Sequence, residues 1–449
     1  MTRLQQRLLA VVEHRHFVLF CILAATALRI AWIVFVHPAQ VSDFKWYYER
    51  AVSIASGHGY TVNGRATAYW PVGYPGFLAV VFSIFGTSPI VGLITNVVLS
   101  VATILLSYRL SKQIFHSETA ARITVLLMSF HLNQIAFNSL LCSEIWFTFL
   151  LMLGTVLFVA ARGRYAFLAL SGICWGLGTL TKPQLIFLPI VFLLIFFSSK
   201  VNFVKSAVMV YAMMALCLIP WALRNQKVFG EALLSTNGGI VLMQGNNPYA
   251  TGTHIWNDDV DGLLGDLRQG ENGVEPNEVA RATRARQVGT AYIKQHPFRT
   301  VALWPKKLMY AYRSDVDAFF YSLGMMQPMS RPVTLIYTGL RILAELYYFV
   351  VLALAVISWN AVSKGTPREY KLGLSVFLYF SAICVVFIAI ARYHYPMMPW
   401  VSIYSGIGAS VLLGVWSKQS VEGATYLGVP PVEAQGHGSY AASAETLAK

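Results

Sequence analysis

Apolar runs of about 17–20 residues recur along this chain, and a run of that length can cross the roughly 30 Å hydrocarbon core of a bilayer as one helix. Helices are read at 17–36, 90–108, 119–137, 144–161, 165–180, 185–198, 203–222, 333–358, 372–390 and 396–415. Several are short enough to be tilted pairs or half-buried elements. A membrane barrel would show short alternating strands instead. The composition agrees, with 56% hydrophobic and 12% charged residues, against about 25% charged in a soluble domain. The mean hydropathy is +0.56. The fold class is therefore an all-α polytopic membrane protein. The first run has no small-residue cleavage signal behind it and reads as a retained helix rather than a signal peptide.

The net charge of +14 is informative through its distribution and does not mark a nucleic-acid partner. Cations favour the cytoplasmic ends of membrane helices, counted over short loops. The ambiguous run is 71–86, PVGYPGFLAVVFSIFG, whose start is broken by Pro71, Gly73, Pro75 and Gly76. If it does not cross, one side collects the cations of 3–15, 109–122, 162–164, 200–205 and 364–371, plus Lys418. The opposite short loops, 138–143, 181–184 and 391–395, hold only Lys182 and Arg392. So 71–86 is expected to lie in or dip into the outer interface, with both termini inside and about ten spans. The five cysteines (Cys21, Cys142, Cys174, Cys217, Cys384) are scattered in or beside apolar runs and read as packing residues.

This topology divides the chain into an N-terminal transmembrane module, 1–222, an extracytoplasmic region, 223–332, C-terminal helices, 333–417, and a tail, 418–449. The first module contains the first outer loop, 37–89. Region 223–332 carries half of the chain's 20 acidic residues. It is too long and mixed for a plain connector and is expected to hold helices at 278–295 and 298–312. The polar tail, rich in Gly, Ala and Ser, is expected to be disordered and cytoplasmic.

Chemistry is expected on the outer side. Asp43 stands about seven residues past the first helix among Trp46, Tyr47 and Tyr48, where a carboxylate suits accepting a proton. The competing local reading is a helix N-cap, with Ser42 or Asp43 capping an interfacial helix through Gly57. Glu144, in LLCSEIWF, opens the fourth helix. Ionisable groups at membrane depth are costly and usually placed for function, although Ser143 and Glu144 would also suit a first helical turn. With Asp43 it forms a carboxylate pair that could share a proton or hold a divalent cation, although no ligand spacing marks a metal. Lys182 (TKPQ), Arg224 (PWALRNQKVFG), and Arg392 with His394 (ARYHYPMMP) place cations at three outer helix ends. Together they suit an anionic lipid headgroup, with Arg65 and Lys45 able to join; each alone reads equally as a snorkelling anchor. The Gly/Asn-rich stretch 235–252, STNGGIVLMQGNNPYATG, offers amide groups for sugar hydroxyls or phosphate, or is a turn-rich loop. Asn246 and Asn247 there, with Tyr47 and Tyr74 in the first outer loop, are candidate sugar or acceptor contacts. Arg341 and Glu345, four apart on one helix face, could pair in the membrane and, with Arg29, read as structural or cavity-lining rather than catalytic.

Taken in order, these pieces resemble the GT-C superfamily of polyprenyl-phosphate-sugar glycosyltransferases. The likeness is to its family 39 type, which includes protein O-mannosyltransferases and lipid A aminoarabinose transferases. The motifs are SDFKWYY, PVGYPGFLAVVFSIFG, SLLCSEIWFTFLL, LTKPQLIFLPI, IPWALRNQKVFGEALLSTNGG with GNNPYATG, and RYHYPMMPW, spread over about 17–415. The resemblance implies a GT-C-type bundle of about 10–12 transmembrane helices, with interfacial helices in the first outer loop and a large outer loop. It also implies a sugar carried on polyprenyl phosphate and transferred to a hydroxyl of a glycolipid such as lipid A, another surface glycan or a protein. The enzyme would sit in a bacterial inner membrane with its site facing the periplasm. Asp43 matches the family's catalytic first-loop acid and Glu144 an acidic position of the second outer loop. Lys182, Arg224 and Arg392 fall where the donor phosphate could be held. The departures are Phe44 where many members continue the acidic cluster, and no soluble domain after the last helix. The alternative class is a transporter or flippase for a lipid-linked or anionic solute, which would favour inverted repeats and broken midplane helices. No repeat is visible.

Overall fold

The apolar runs fold into helices, as a computed structural model shows. It describes residues 1–161, 164–197, 199–268, 277–325, 329–362 and 368–416. The tail 418–449 and the cations Arg162, Lys364 and Lys418 lie outside the described residues. Among the described residues, six helices are long and apolar enough to cross a membrane: Phe17–Phe35, Pro89–Phe115, Ser143–Ala161, Lys200–Phe229, Arg331–Trp359 and Arg368–Val386. Three shorter apolar helices are Gly73–Phe85, Tyr165–Thr181 and Pro183–Phe196. The chain is an integral membrane protein by this architecture. Helix Phe17–Phe35 shows how one span solves its environment. Cys21, Ala25, Arg29 and Ile33, spaced by four, face the bundle, while Leu19, Phe20, Leu23, Ile30 and Val34 point outward, as lipid contact requires.

Helix Gly73–Phe85 has 13 residues, which at 1.5 Å rise is about 20 Å and short of the roughly 30 Å bilayer core. Its first residue packs on the end of helix Tyr165–Thr181: a Cβ on Gly73 would come within 2.5 Å of the Leu180 carbonyl carbon and the Thr181 nitrogen. Such a contact can only be relieved by moving backbone. Gly73→Ala is expected to destabilise the protein by about 1–3 kcal/mol through overpacking. A lowered melting temperature in detergent checks it, and an unchanged one would refute the contact.

The run 119–137 does not continue as one helix. It is Glu118–Ser129, then Leu132–Ala136 and a 3-10 turn Phe137–Ser139. The break follows from Arg29, buried in the neighbouring span, whose guanidinium donates to the Met128 and Ser129 carbonyls at 3.2 and 3.3 Å. A cation at a helix C-terminus satisfies carbonyls that have no intrahelical partner.

At the end of the bundle carrying 37–89 and 223–332, helix Ser42–Ala55 forms as expected, but its cap does not. Val41 is the N-cap residue and no side chain caps the helix. The all-α class holds, with one small hairpin among the described residues: Thr61–Val62 pairs antiparallel with Arg65–Ala66. The intervening Asn63 and Gly64 both have positive φ (48° and 75°), the requirement of a type I′ hairpin turn and the reason Asn-Gly serves there. Helix Lys200–Phe229 runs beyond residue 222, so Arg224 lies within it rather than past it. The 235–252 stretch is not only loop: Asn237–Gly245 is a helix. It packs on Glu278–Gln295 so closely that a Cβ on Gly239 would sit 2.1 Å from the Ala282 carbonyl. Ile240, Met243, Val260, Leu264 and Ala285 form a small core there. The expected helix 298–312 is divided into Pro297–Ala302 and Trp304–Tyr312, where Pro305 withholds a backbone donor.

Candidate functional site

Four charged side chains from four separate segments meet beneath the loop end of the bundle. Asp43 is the second residue of helix Ser42–Ala55, and its Oδ2 lies 2.9 Å from Arg392 Nη2. Glu144 opens helix Ser143–Ala161, and its Oε1 accepts from Lys182 Nζ at 3.0 Å with Arg392 Nε 4.0 Å away. Lys182 caps helix Tyr165–Thr181 just before Pro183. Arg392 sits in the 3-10 segment Ala391–Met397, with its backbone N–H donated to Asp317 Oδ2 at 2.7 Å. Two carboxylates and two cations thus neutralise one another in a buried site, Glu144 being only 2% exposed and Asp43 6%. Burial works against the Arg392 charge, but Asp43 and Glu144 outweigh it and hold the guanidinium charged well above its ordinary range. The Phe44 and Tyr321 rings stand 5.7 and 5.8 Å from it.

The quartet is not saturated. Among the described residues, Arg392 Nη1 and Glu144 Oε2 are buried without a hydrogen-bond partner, an arrangement that costs free energy unless a ligand or water completes it. Arg392 also lines a 490 Å³ cavity whose wall includes Tyr69, Trp70, Gln244, His254, Asp317 and Tyr393. Asp43 and Glu144 lie behind Arg392 rather than on that wall. Two further cations face the cavity, Arg313 and Arg341. Each stands on a tyrosine, 4.5 Å over Tyr310 and 5.3 Å over Tyr337, and neither pairs with a carboxylate among the described residues. Burial, with the Arg392 charge beside it, holds His254 below its ordinary range, so it faces the cavity neutral. Burial pushes the Asp317 carboxyl up.

Of the sequence candidates, Asp43, Glu144, Lys182 and Arg392 come together. Tyr47 packs close enough to Asp43 and Glu144 to feel both charges; the others do not join the quartet, and the reason is local in each case. Arg224 donates to the Thr67 and Tyr60 carbonyls and ties the first loop to its helix. Arg65 is exposed on the hairpin, and Lys45 pairs with Glu49. His394 has both ring nitrogens engaged, by the Ala311 carbonyl and by Asp315. Tyr47 and Tyr74 are buried and meet edge to face at 5.4 Å in the core. Asn246 donates to the Leu242 and Val386 carbonyls and Asn247 to the Met243 carbonyl. Asn246 thus fastens the loop region to the end of helix Leu372–Val386, Asn247 bonds back to its own helix at Met243 and Gln244, and neither carries a free amide donor. The Arg341–Glu345 pair does not form, because Glu345 accepts from the Ser314 hydroxyl and the Asp315 N–H. Arg313 and Asp317 were missed, whereas Arg341, read as structural or cavity-lining, does line the cavity. RSDVDAFFYS does carry a signal, two carboxylates and a cation beside aromatics in a region that is otherwise mixed.

The residues present fit a metal ion poorly. Among the described residues no group of three His, Cys, Asp or Glu is placed to hold one, and Asp43 and Glu144 each face a cation instead.

The fold and this site define a polytopic membrane protein with a buried ionic centre beside an aromatic, cationic cavity. Residues 70–223, which include the segments bearing Glu144 and Lys182, match the family described as dolichyl-phosphate-mannose-protein mannosyltransferase. The structure is similar to the archaeal oligosaccharyltransferase of Archaeoglobus fulgidus in complex with an inhibitory peptide and a dolichol-phosphate. The TM-score is 0.52 at 16% identity, over 93% of this chain and 52% of that one. A second structure of the oligosaccharyltransferase from that organism, tethered to an acceptor peptide, gives 0.50 at 14% identity, over 89% and 50%. ArnT from Cupriavidus metallidurans bound to undecaprenyl phosphate gives 0.44 at 11%, over 85% and 78%. No curated protein matches the chain. The chain spans about half the length of the oligosaccharyltransferase. Its fold is of the GT-C type that the ordered motifs implied, and residues 70–223 within it are similar to the mannosyltransferase family.

Proposed function

We propose that this protein is a GT-C membrane glycosyltransferase that moves a sugar from a polyprenyl-phosphate donor to an acceptor hydroxyl on the extracytoplasmic face. The observation that carries this reading is the Asp43–Arg392 pair abutting a cavity with two arginines that pair with no described carboxylate. The matched family and the dolichol-phosphate bound by the structural neighbour support the donor class. The periplasmic side rests on the charge distribution of the loops, and the bacterial inner membrane on the family resemblance.

Arg313 and Arg341 receive the donor phosphate, since Lys182 and Arg392 are already matched by carboxylates. Arginine suits bidentate phosphate contacts. A phosphate arriving beside Arg392 takes up the free Nη1 and draws the guanidinium from Asp43, which leaves that carboxylate able to act. Asp43 then accepts the acceptor's hydroxyl proton as its oxygen bonds the anomeric carbon. The bond from that carbon to the phosphate oxygen breaks, and its electron pair leaves with polyprenyl phosphate. Attack opposite the leaving group inverts the anomeric centre. The arginines stabilise the charge growing on the phosphate, and the aromatic and amide wall holds the sugar.

Removing one arginine–phosphate contact forfeits about 1.5–3 kcal/mol. Arg313→Ala and Arg341→Ala are each expected to weaken undecaprenyl-phosphate binding by about ten- to a hundredfold. Titration of the purified protein in nanodiscs measures this. Wild-type affinity in both variants would remove the phosphate from this wall. The wider reading is tested by sugar transfer from a polyprenyl-phosphate donor in vesicles, where transport without a new glycosidic bond would refute it.

A further inference from the structure

Directly behind Arg392, a buried histidine–aspartate–histidine cluster joins parts of the chain far apart in sequence. His394 is 2% exposed. Its Nδ1 lies 2.6 Å from the Ala311 carbonyl oxygen and its Nε2 3.1 Å from Asp315 Oδ1. Both neighbours are acceptors, so with Asp315 ionised both ring nitrogens carry protons and His394 is an imidazolium. The Asn133 amide donates to the same Asp315 oxygen, and His131 Nε2 lies 3.4 Å from the other. Tyr348 and Tyr312 stack on His394 with ring centroids 5.3 and 6.1 Å away.

Two contacts join the same pair of segments in register. Asp315 holds His394, and Asp317, two residues on, takes the backbone N–H of Arg392, two residues earlier. We propose that the buried His394–Asp315 pair is the positioning element of Arg392, fixing segment Ala391–Met397 against residues 313–317 so that the guanidinium reaches Asp43. His394 and Asp315 touch no substrate in this arrangement; they act through Arg392. The consequence for transfer rests on the function proposed above, but the positioning itself does not.

The charges around His394 are Asp315 and Asp317 from one segment, His131 with Arg29 behind it from another, Glu345 on helix Arg331–Val362, and Arg392 on its own segment. Burial opposes the imidazolium, but Asp315 outweighs it and His394 is held above its ordinary range. Burial likewise opposes the Asp315 charge, and His394 outweighs it, so that carboxyl is held down. A raised histidine contributes stability fully below its unfolded value and loses it as pH climbs through the folded one. A depressed carboxylate contributes above its unfolded value and loses it as pH falls through the folded one. The pair is therefore intact around neutrality and fails on the alkaline side when His394 gives up its proton.

The test is phenylglyoxal labelling of the full-length protein in nanodiscs, read by peptide mass spectrometry as the ratio of Arg392 to the exposed Arg313. His394→Gln and Asp315→Asn each leave one buried charge without its partner, the costly outcome, whereas removing both charges is far milder. Each single variant is expected to raise the ratio several-fold, and Asp315→Asn/His394→Gln to bring it back toward wild type. An unchanged ratio in both single variants overturns the proposal, because Arg392 then does not depend on the pair. A double variant at least as reactive as the singles overturns it too, because shape rather than charge would then be responsible. Should the single variants fail to fold, the wild-type ratio is followed upward in pH: a rise supports the proposal and a flat ratio overturns it. Labelling that behaves as expected in a protein that transfers no sugar would fault the function and leave the positioning intact.

Discussion

Asp43→Asn is expected to lower sugar transfer by about 10²- to 10⁴-fold, the loss typical of removing a positioned general base. The substitution keeps the side chain's shape and an oxygen able to accept from Arg392 Nη2, now 2.9 Å from the carboxylate. It removes only the capacity to take a proton. Arg392 keeps the Glu144 carboxylate at 4.0 Å, so the site remains charged and the protein remains folded. The measurement is transfer from a polyprenyl-phosphate sugar donor in vesicles, with undecaprenyl-phosphate binding as the control. Full transfer by Asp43→Asn would end the assignment of Asp43 as base. Loss of transfer together with loss of binding would instead make Asp43 a structural anchor for Arg392.

The second large effect concerns the other half of the quartet. Lys182→Met is expected to destabilise the protein by about 3–5 kcal/mol, because it leaves a buried charge without its nearest partner. Glu144 is 2% exposed, and among the described residues Lys182, at 3.0 Å, donates its one short hydrogen bond from a cation. Pairing Lys182→Met with Glu144→Gln removes both charges and is expected to restore much of that loss. Thermal melting of the three variants in detergent checks this. A single variant that melts with the wild type would show that the Glu144 charge is compensated elsewhere. A double variant worse than the single would show that Glu144 has a further partner.

Much of this site was legible because its residues break a strong pattern. A charge beside a membrane helix is conspicuous, and Asp43, Glu144, Lys182 and Arg392 each stand at the end of an apolar run. What could not be read was which charges meet. Arg224 and Arg392 look alike in sequence, each at a helix end beside an aromatic residue, yet Arg224 binds the Thr67 and Tyr60 carbonyls and Arg392 binds Asp43. Arg341 and Glu345 have the spacing of an intrahelical pair, but Glu345 turns to the Ser314 hydroxyl and Arg341 to the Tyr337 ring. Spacing of four residues permits an ion pair worth a few tenths of a kcal/mol, and a half-buried donor from another segment outweighs it.

The hairpin and the 131 break show two opposite failures. Asn63-Gly64 is a local turn signal and was available in the sequence, because its positive φ angles are a property of those two residues. The break after Ser129 was not available, because it depends on a guanidinium about a hundred residues away.

The amino-acid sequence by itself determined the material of this protein: helices long and apolar enough to cross a bilayer, a shorter apolar run broken at its start, and charges left at helix ends. Backbone groups in lipid have to bond within their own segment, so apolar length alone dictates a helix. Tertiary structure alone decided which charges neutralise one another, leaving Arg313 and Arg341 facing the cavity, and turned His394 from a ligand candidate into the buried partner of Asp315. Charge pairing depends on distances of about 3–4 Å between segments, over which the Coulomb energy in a buried site changes by kilocalories, and no local pattern encodes those distances.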